Sequence, residues 1–258
     1  MKERIKKEWR EFVCLLRNVP TLTTVFFVMS IFAMNLLANK SIALGVDWLA
    51  LDCGIIVSWF AFLSMDVLTK HFGPKAATEL SVLAIAIELV FCLFMFLGSL
   101  IPGAWGESFV EGGDIVNTAL DNTFGGAWYV ILGSTLAFIA SAAVNNFVNY
   151  GIGKAFRKNT DGLCAFVLRS YVSTAVGQFV DNLVFAFVVS HFFFGWSALQ
   201  CVTCALTGMV AELLFEVVFS FFGYKTCKRW KSKGVGAEYF ALAGASAAAS
   251  SDGREVCE

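Results

Sequence analysis

Six long runs of apolar residues dominate this chain of 258 residues. Each run holds about 20 or more residues, which as an α-helix covers the ~30 Å hydrocarbon core of a lipid bilayer. Apolar side chains make up 58% of the chain and charged ones only 15%, whereas an ordinary soluble domain carries about 25% charged residues. Because six such runs are too many to share one soluble core, the sequence predicts an all-α polytopic membrane protein with six transmembrane helices.

Helix-breaking dipeptides and polar segments separate the predicted spans. Gly73-Pro74 divides the second span from the third, and Pro102-Gly103 ends the third. The predicted spans cover residues 21–43, 49–72, 76–101, 126–152, 164–193 and 198–224.

Two segments flank the membrane domain, which we place at residues 20–231. Residues 1–19 interleave Lys and Arg with Trp, Phe and Leu, a pattern typical of a helix lying on the cytoplasmic membrane face. Residues 232–258 are rich in Ala, Gly and Ser, which predicts a disordered cytoplasmic tail.

The positive charges indicate the orientation of the chain. With six spans, all but one of the 19 Lys and Arg residues fall on one side of the membrane, and the exception is Lys40. The others lie in segments 2–17, 70–75, 154–169 and 225–254, whereas segment 102–125 is acidic. Because basic residues accumulate on the cytoplasmic side, we expect both termini there. The net charge of −1 gives no indication of a nucleic-acid partner.

Polar side chains inside the fifth span form the leading candidate site. Gln178, Asp181 and Asn182 are spaced i, i+3 and i+4, so they share one helix face. A carboxylate at bilayer depth costs about 2.5–3.5 kcal/mol on insertion scales, and residues with that cost are usually functional or paired. We predict that this face contacts a substrate; hydrogen bonding between helices is the alternative.

Further candidates lie in the first two spans. Asp66, near the end of the second span, is a candidate site residue, although Lys70 one turn later is an alternative ion-pair partner. Asn35 and Asn39 stand one turn apart at the end of the first span. Lys40 follows them and either serves the site or extends to the outer interface.

The remaining candidates are acidic or aromatic. Glu212 and Glu216 lie one turn apart in the sixth span, and we select Glu216 for the site. Trp59 is a candidate stacking surface. Glu88 is isolated in the third span, with no partner identifiable from the sequence.

No constellation of residues indicates a metal, a cofactor or catalysis. The eight cysteines lie mostly inside apolar runs, where Cys behaves as a small hydrophobic residue. Cys201 and Cys204 have the spacing of a metal or redox pair but lack a second pair. His71 and His191 are far apart. We therefore expect no metal, no cofactor and no enzymatic activity.

Four sequence elements resemble one known family. They are Asn-Leu-Leu-Ala-Asn-Lys at 35–40, Asp-Val-Leu-Thr-Lys-His-Phe-Gly at 66–73, Val-Gly-Gln-Phe-Val-Asp-Asn at 176–182, and Phe-Glu-Val at 215–217 followed by Tyr-Lys at 224–225. Their order and spacing resemble the queuosine precursor transporter family, also called the vitamin uptake transporter (VUT) family.

The resemblance implies a six-helix protein of the bacterial inner membrane that imports a 7-deazaguanine base such as preQ0, preQ1 or queuine. A carboxylate can accept the adjacent N–H groups of such a base, amides can bind its other polar atoms, and an aromatic ring can stack on it. The candidate substrate-binding residues are Asp181, Gln178, Asn182, Asp66, Asn35, Asn39, Lys40, Glu216 and Trp59.

Alternatives remain open beside this hypothesis. The chain departs from the family pattern at Ser58-Trp59, where Phe-Pro is usual, and at Glu212, near which Lys is frequent. Another planar heterocycle is therefore an alternative substrate. A second alternative is the substrate-binding subunit of an ATP-driven vitamin-type transporter. Assembly into a homo-oligomer is also compatible with the sequence. No motif in the sequence supports an intramembrane enzyme.

Overall fold

The structure is a computed structural model that describes residues 2–42, 44–106, 113–155 and 163–252. Within those ranges it is helical, without a β-strand; one isolated bridge joins Ser41 and Asp52. The helices are α1 (Lys2–Asn18), α2 (Thr21–Leu37), α3 (Ile55–Phe72), α4 (Pro74–Ser99), α5 (Gly113–Gly125), α6 (Trp128–Ala155), α7 (Leu163–Phe185), α8 (Phe192–Phe194), α9 (Ala198–Ser232) and α10 (Ala237–Asp252). A π-helical segment, Ala186–His191, continues α7 into α8.

Five helical stretches in the described ranges are long and apolar enough to cross a membrane. They are Ile55–Phe72, Pro74–Ser99, Gly113–Val144, Thr174–Phe194 and Ala198–Ser232. A sixth is added if α1 and α2, which are bent by 102° at Pro20, count as one span. The predicted class of an all-α protein with several membrane-spanning helices is therefore confirmed.

Local breaks in the chain follow the sequence signals. Gly73 has φ +92°, a conformation natural to glycine at a helix end, and Pro74 begins α4, where its missing N–H costs nothing. Helix α2, the first predicted span, ends earlier than expected, at Leu37, and the side-chain amide of Asn39 caps it by donating to the carbonyl of Leu36 at 3.2 Å.

The acidic segment that follows the third span is partly helical. Its second half forms α5. Trp105 holds the preceding turn against this helix: its backbone N–H bonds to Asn117 and its indole N–H to Asp121, both at 2.9 Å. Asp121 thus has a structural role as a hydrogen-bond acceptor, which the number of acidic residues in the segment does not indicate.

The chain folds into two compact units. The first comprises Met1–Ser30, Phe60–Ala84 and Val218–Glu258. In it, Lys75 of α4 bonds to Glu8 at 2.6 Å and to Glu11 at 2.7 Å, which fastens α1 to α4. Ile5 and Trp9 of α1 remain exposed. The predicted helix is present, and its place at the membrane surface stays a prediction.

Part of the tail for which we predicted disorder forms helix α10 in the structure. Positive φ angles at Gly234 and Gly236 reverse the chain after α9. Tyr239 is then buried, and the ring of Phe240 stacks on Phe72 with centroids 5.8 Å apart. The low-complexity composition hid these two aromatic side chains, whose burial offsets the ordering of the helix.

The second unit comprises Ile31–Trp59 and Ile85–Val217. Its helices α6 and α7 pack against each other. A Cβ atom added at Gly133 of α6 would collide with the side chain of Val189 in the π-helical segment, so this side chain packs directly against the backbone of α6.

Some of the predicted features lie outside the described part of the structure. These are the side chains of the basic cluster Lys154, Arg157, Lys158 and Arg169, the predicted end of the first span at Ala43, and residues 253–258 of the tail.

Candidate functional site

A row of polar side chains on α7 lies inside the second unit. Asp181 accepts a hydrogen bond from the hydroxyl of Ser141 on α6 at 2.9 Å. Asn182, the next residue, donates its side-chain N–H to Glu212 on α9 at 3.2 Å. The face that the sequence spacing predicted therefore points at polar partners on two other helices.

Glu212 is the centre of this cluster. Its side chain is 2% exposed, and its second carboxylate oxygen accepts from the hydroxyl of Ser58 on α3 at 2.7 Å. Four helices, α3, α6, α7 and α9, thus contribute to two sets of hydrogen bonds that meet at the neighbouring residues Asp181 and Asn182. We call Ser58, Ser141, Asp181, Asn182 and Glu212 the polar cluster.

Gln178 lies one turn before the cluster on the same face of α7. It is 3% exposed, and neither its Nε2 nor its Oε1 has a hydrogen-bond partner among the described residues. A buried amide without partners is rare in folded proteins and costs about 1–3 kcal/mol. Such a group is ready to bind a polar ligand, because a ligand would supply the missing partners.

Gly208 allows the contact between α7 and α9. A Cβ atom there would stand 2.9 Å from the amide nitrogen of Asn182. Since Gly208 precedes Glu212 by one helical turn, the absence of a side chain lets Asn182 reach the carboxylate.

Two predicted site residues of the second unit lie close to the polar cluster in sequence but have other contacts. Trp59, next to Ser58, stacks on Phe215 with ring centroids 5.6 Å apart and an interplanar angle of 25°. Glu216 is half-buried one turn beyond Glu212. The structure shows Glu212, which we did not select from the sequence, bonded to α3 and α7.

The site residues predicted at the end of the first span make polar contacts outside the polar cluster. Asn35 is buried and donates to both carboxylate oxygens of Glu88, each at 2.9 Å. Asn39 accepts from the hydroxyl of Tyr129 at 3.1 Å. Lys40 is exposed.

Asp66 belongs to the first unit. Its carboxylate pairs with Lys70 on the same helix at 2.8 Å, in a partly exposed position. This is the structural alternative that the spacing offered, and an exposed pair of this kind contributes at most about 1 kcal/mol to stability.

Sequence reasoning left three members of the polar cluster out of the site. Ser58 and Ser141 carry small hydroxyls that are common in membrane helices; Ser58 stood out only as a departure from the family pattern, and nothing in the pattern marked Ser141. Glu212 did carry a signal, because a carboxylate inside a span is costly. Spacing could not decide between Glu212 and Glu216, because residues one turn apart share a helix face.

The described residues contain no set of side chains arranged as metal ligands. No group of three or more His, Cys, Asp or Glu side chains there is arranged to hold an ion. Cys201 and Cys204 are free and lie in a buried apolar cluster with Ala50, Ala186 and Trp196.

Comparison with known proteins adds an independent observation. Residues 52–226 match the profile of a family described as "Putative vitamin uptake transporter". The chain is also similar to a protein of Bacillus subtilis (strain 168) named "Probable queuosine precursor transporter", with 31% identity over 153 residues. That alignment covers 58% of this chain and 62% of the relative's length. No solved structure matches the chain.

Proposed function

The chain belongs to the vitamin uptake transporter family, and we propose that it imports a 7-deazaguanine base, a queuosine precursor, across the cell membrane. The observation that carries this proposal is Gln178, whose buried amide is unpartnered within the described structure and lies one turn from Asp181 and Asn182. The name of the Bacillus relative supports the same substrate class.

The chemistry of the polar cluster suits a guanine-like base. Such a base presents a ring N–H beside an exocyclic amine, and one carboxylate can accept both. Asp181 and Glu212 each keep acceptor capacity beyond their present hydrogen bonds. The Gln178 amide can both donate to the base oxygen and accept from a ring N–H. A mostly apolar surrounding with a few convergent polar groups is the usual form of a ligand site.

The decisive experiment measures queuosine in tRNA of cells that cannot synthesise its precursors. These cells would express this chain alone and be fed preQ0, preQ1 or queuine separately. We expect one of these bases to restore queuosine. If none does while the protein is correctly inserted, the chain is not a self-sufficient deazaguanine importer.

Gln178→Met tests the role of the amide with two readouts of opposite sign. Methionine keeps the length of the side chain but needs no hydrogen bond, so we expect the ligand-free protein to gain about 1–3 kcal/mol of stability. Uptake should fall roughly 5- to 100-fold, because the base loses its partners. Thermal unfolding of the purified protein and initial uptake rates check the two effects.

Gln200→Met is the matched control, because Gln200 binds Ser197 and the loop carbonyl of Asp47, away from the polar cluster. It should leave uptake near the level of the unmodified chain. Unchanged uptake in Gln178→Met would remove Gln178 from the site.

A different planar heterocycle is the second candidate substrate. Ser58 and Glu212 are both departures from the family pattern, and the structure joins them by a hydrogen bond of 2.7 Å. Two residues that differ from the family pattern and contact each other are what we expect of a binding site adapted to a different heterocycle. Uptake of labelled purines and vitamins by purified protein in liposomes without nucleotides separates this candidate from the ATP-dependent one, which requires an energising partner.

We also propose six spans with both termini in the cytoplasm. In this arrangement an epitope inserted after Gly103 is accessible from outside intact cells, whereas tags at either terminus are not. Antibody labelling before and after permeabilisation checks this. Labelling of a terminal tag on intact cells would contradict the orientation.

A further inference from the structure

Glu88 is a buried carboxylate apart from the polar cluster. It lies near the middle of the 26-residue helix α4 and is 4% exposed. Within the described residues its hydrogen-bond partner is Asn35 of α2, and no cationic side chain pairs with it. A position near the middle of a spanning helix places this carboxyl at bilayer depth, where ionisable groups are rare and usually functional.

The surroundings of Glu88 are mostly apolar. The cavity beside it has room for roughly one water molecule. Among the described residues Cys92 of α4 is the other titratable side chain at this cavity; α2 adds only Asn35 as a polar neighbour, and α5 and α6 add apolar side chains. The apolar lining includes Phe32, Leu36, Phe91, Phe124, Val130 and Ile131.

Two opposing contributions act on the charged form of this carboxyl. A carboxylate at bilayer depth costs about 2.5–3.5 kcal/mol on insertion scales. Hydrogen bonds from the Asn35 amide to the charged form offset about 1.5–3 kcal/mol of that cost. A buried carboxyl with one amide partner therefore has a place for a proton on the oxygen that faces the cavity.

A proton fits this place better than a metal cation. Hard divalent cations take six or more oxygen ligands, and the cavity provides the Glu88 carboxylate and the Asn35 amide with space for about one water. A proton needs one carboxylate oxygen and no further ligands.

We propose that Glu88 is the proton-binding site that couples uptake to the proton gradient. One proton adds to one carboxylate oxygen, giving the neutral acid and removing one negative charge from the membrane interior, while the other oxygen still accepts from Asn35. This inference rests on the proposed function for the transport it couples. Among the described residues, Glu88 and Asn35 share no hydrogen bond with the polar cluster, so the proposal places the substrate and the proton at different sites.

Purified protein in liposomes tests the coupling through Glu88→Gln, which keeps the shape of the side chain. An acidic exterior should drive accumulation of the deazaguanine by the unmodified chain but not by the variant. Exchange of labelled for unlabelled base at equal pH should persist within about twofold, because the variant still binds substrate. Cys92→Ala, which removes the other titratable group at the cavity, should keep the proton-driven accumulation.

Infrared spectra supply a readout that needs no transport. The carbonyl band of a protonated carboxylic acid should be present in the unmodified chain at neutral pH and reduced in Glu88→Gln. Identical spectra overturn the proposal, and so does loss of exchange together with accumulation in a correctly folded variant. If Glu88→Gln fails to fold, Glu88→Asp takes its place and should keep both the band and the accumulation.

The two proposals fail in distinguishable ways. If the unmodified chain exchanges no deazaguanine, the proposed function is wrong, and the infrared comparison alone decides the proton site. If exchange occurs but an acidic exterior drives no accumulation by the unmodified chain, the proposed substrate stands and the coupling role of Glu88 is overturned.

Discussion

Replacing Glu212 by alanine is expected to lower uptake of the transported base by about 10- to 100-fold. The carboxylate accepts hydrogen bonds from Ser58 at 2.7 Å and from Asn182 at 3.2 Å. A hydrogen bond to a charged group contributes about 1.5–3 kcal/mol, and each 1.4 kcal/mol corresponds to about tenfold in affinity. Its removal also leaves the amide of Asn182 free to turn away from the substrate.

The measurement is binding of the labelled base to purified protein, together with the initial uptake rate. Glu212→Gln separates charge from shape, because it keeps one acceptor oxygen while removing the negative charge. If the carboxylate accepts two donors from the base, Glu212→Gln should be nearly as impaired as Glu212→Ala.

Two further variants define what the result means. Glu238→Ala removes an exposed carboxylate on α10 and should leave uptake unchanged. Glu216→Ala compares the acidic residue chosen from the sequence with the one that the structure places in the polar cluster. Full uptake by Glu212→Ala in folded protein would show that the substrate binds elsewhere.

Local features of the fold were predictable because neighbouring residues determine them. A Gly-Pro dipeptide such as Gly73-Pro74 interrupts a helix, because proline cannot continue the helix and glycine accepts a positive φ. Lengths of apolar sequence likewise predict helices that can cross a bilayer. The tail illustrates the limit: α10 depends on the packing of Tyr239 and Phe240, which composition does not encode.

The candidate site was predictable on one helix and not across helices. Gln178, Asp181 and Asn182 share a face through spacing alone. Their partners are distant in sequence: Ser58 and Glu212 stand 154 positions apart. Helices that are apolar on all sides give no periodic signal of which face points inward, so the sequence could not orient α9 or pair Asn35 with Glu88.

Gly133→Val is expected to prevent stable folding of the second unit, the other large effect. A single Cβ atom at this position would already collide with the side chain of Val189, which is fully buried in the π-helical segment. Neither backbone can retreat easily, because α6 and α7 pack closely and Val189 belongs to a buried cluster with Ala38 and Val130. Overpacking a buried contact costs about 1–3 kcal/mol for small insertions, and a branched side chain adds to that cost.

Gly98→Val is the matched control, since a Cβ atom at Gly98 of α4 meets nothing within 4 Å. We expect the yield and thermal stability of Gly98→Val in detergent to equal those of the unmodified chain, while Gly133→Val gives little folded protein and Gly133→Ala an intermediate, destabilised form. Fluorescence-detected size-exclusion chromatography after a heating series orders the variants. Equal stability of Gly133→Val and Gly98→Val would mean that α6 and the π-helical segment do not approach as closely as described. The π-helical segment directly continues the helix that bears Gln178 and Asp181, so its loss should also abolish uptake.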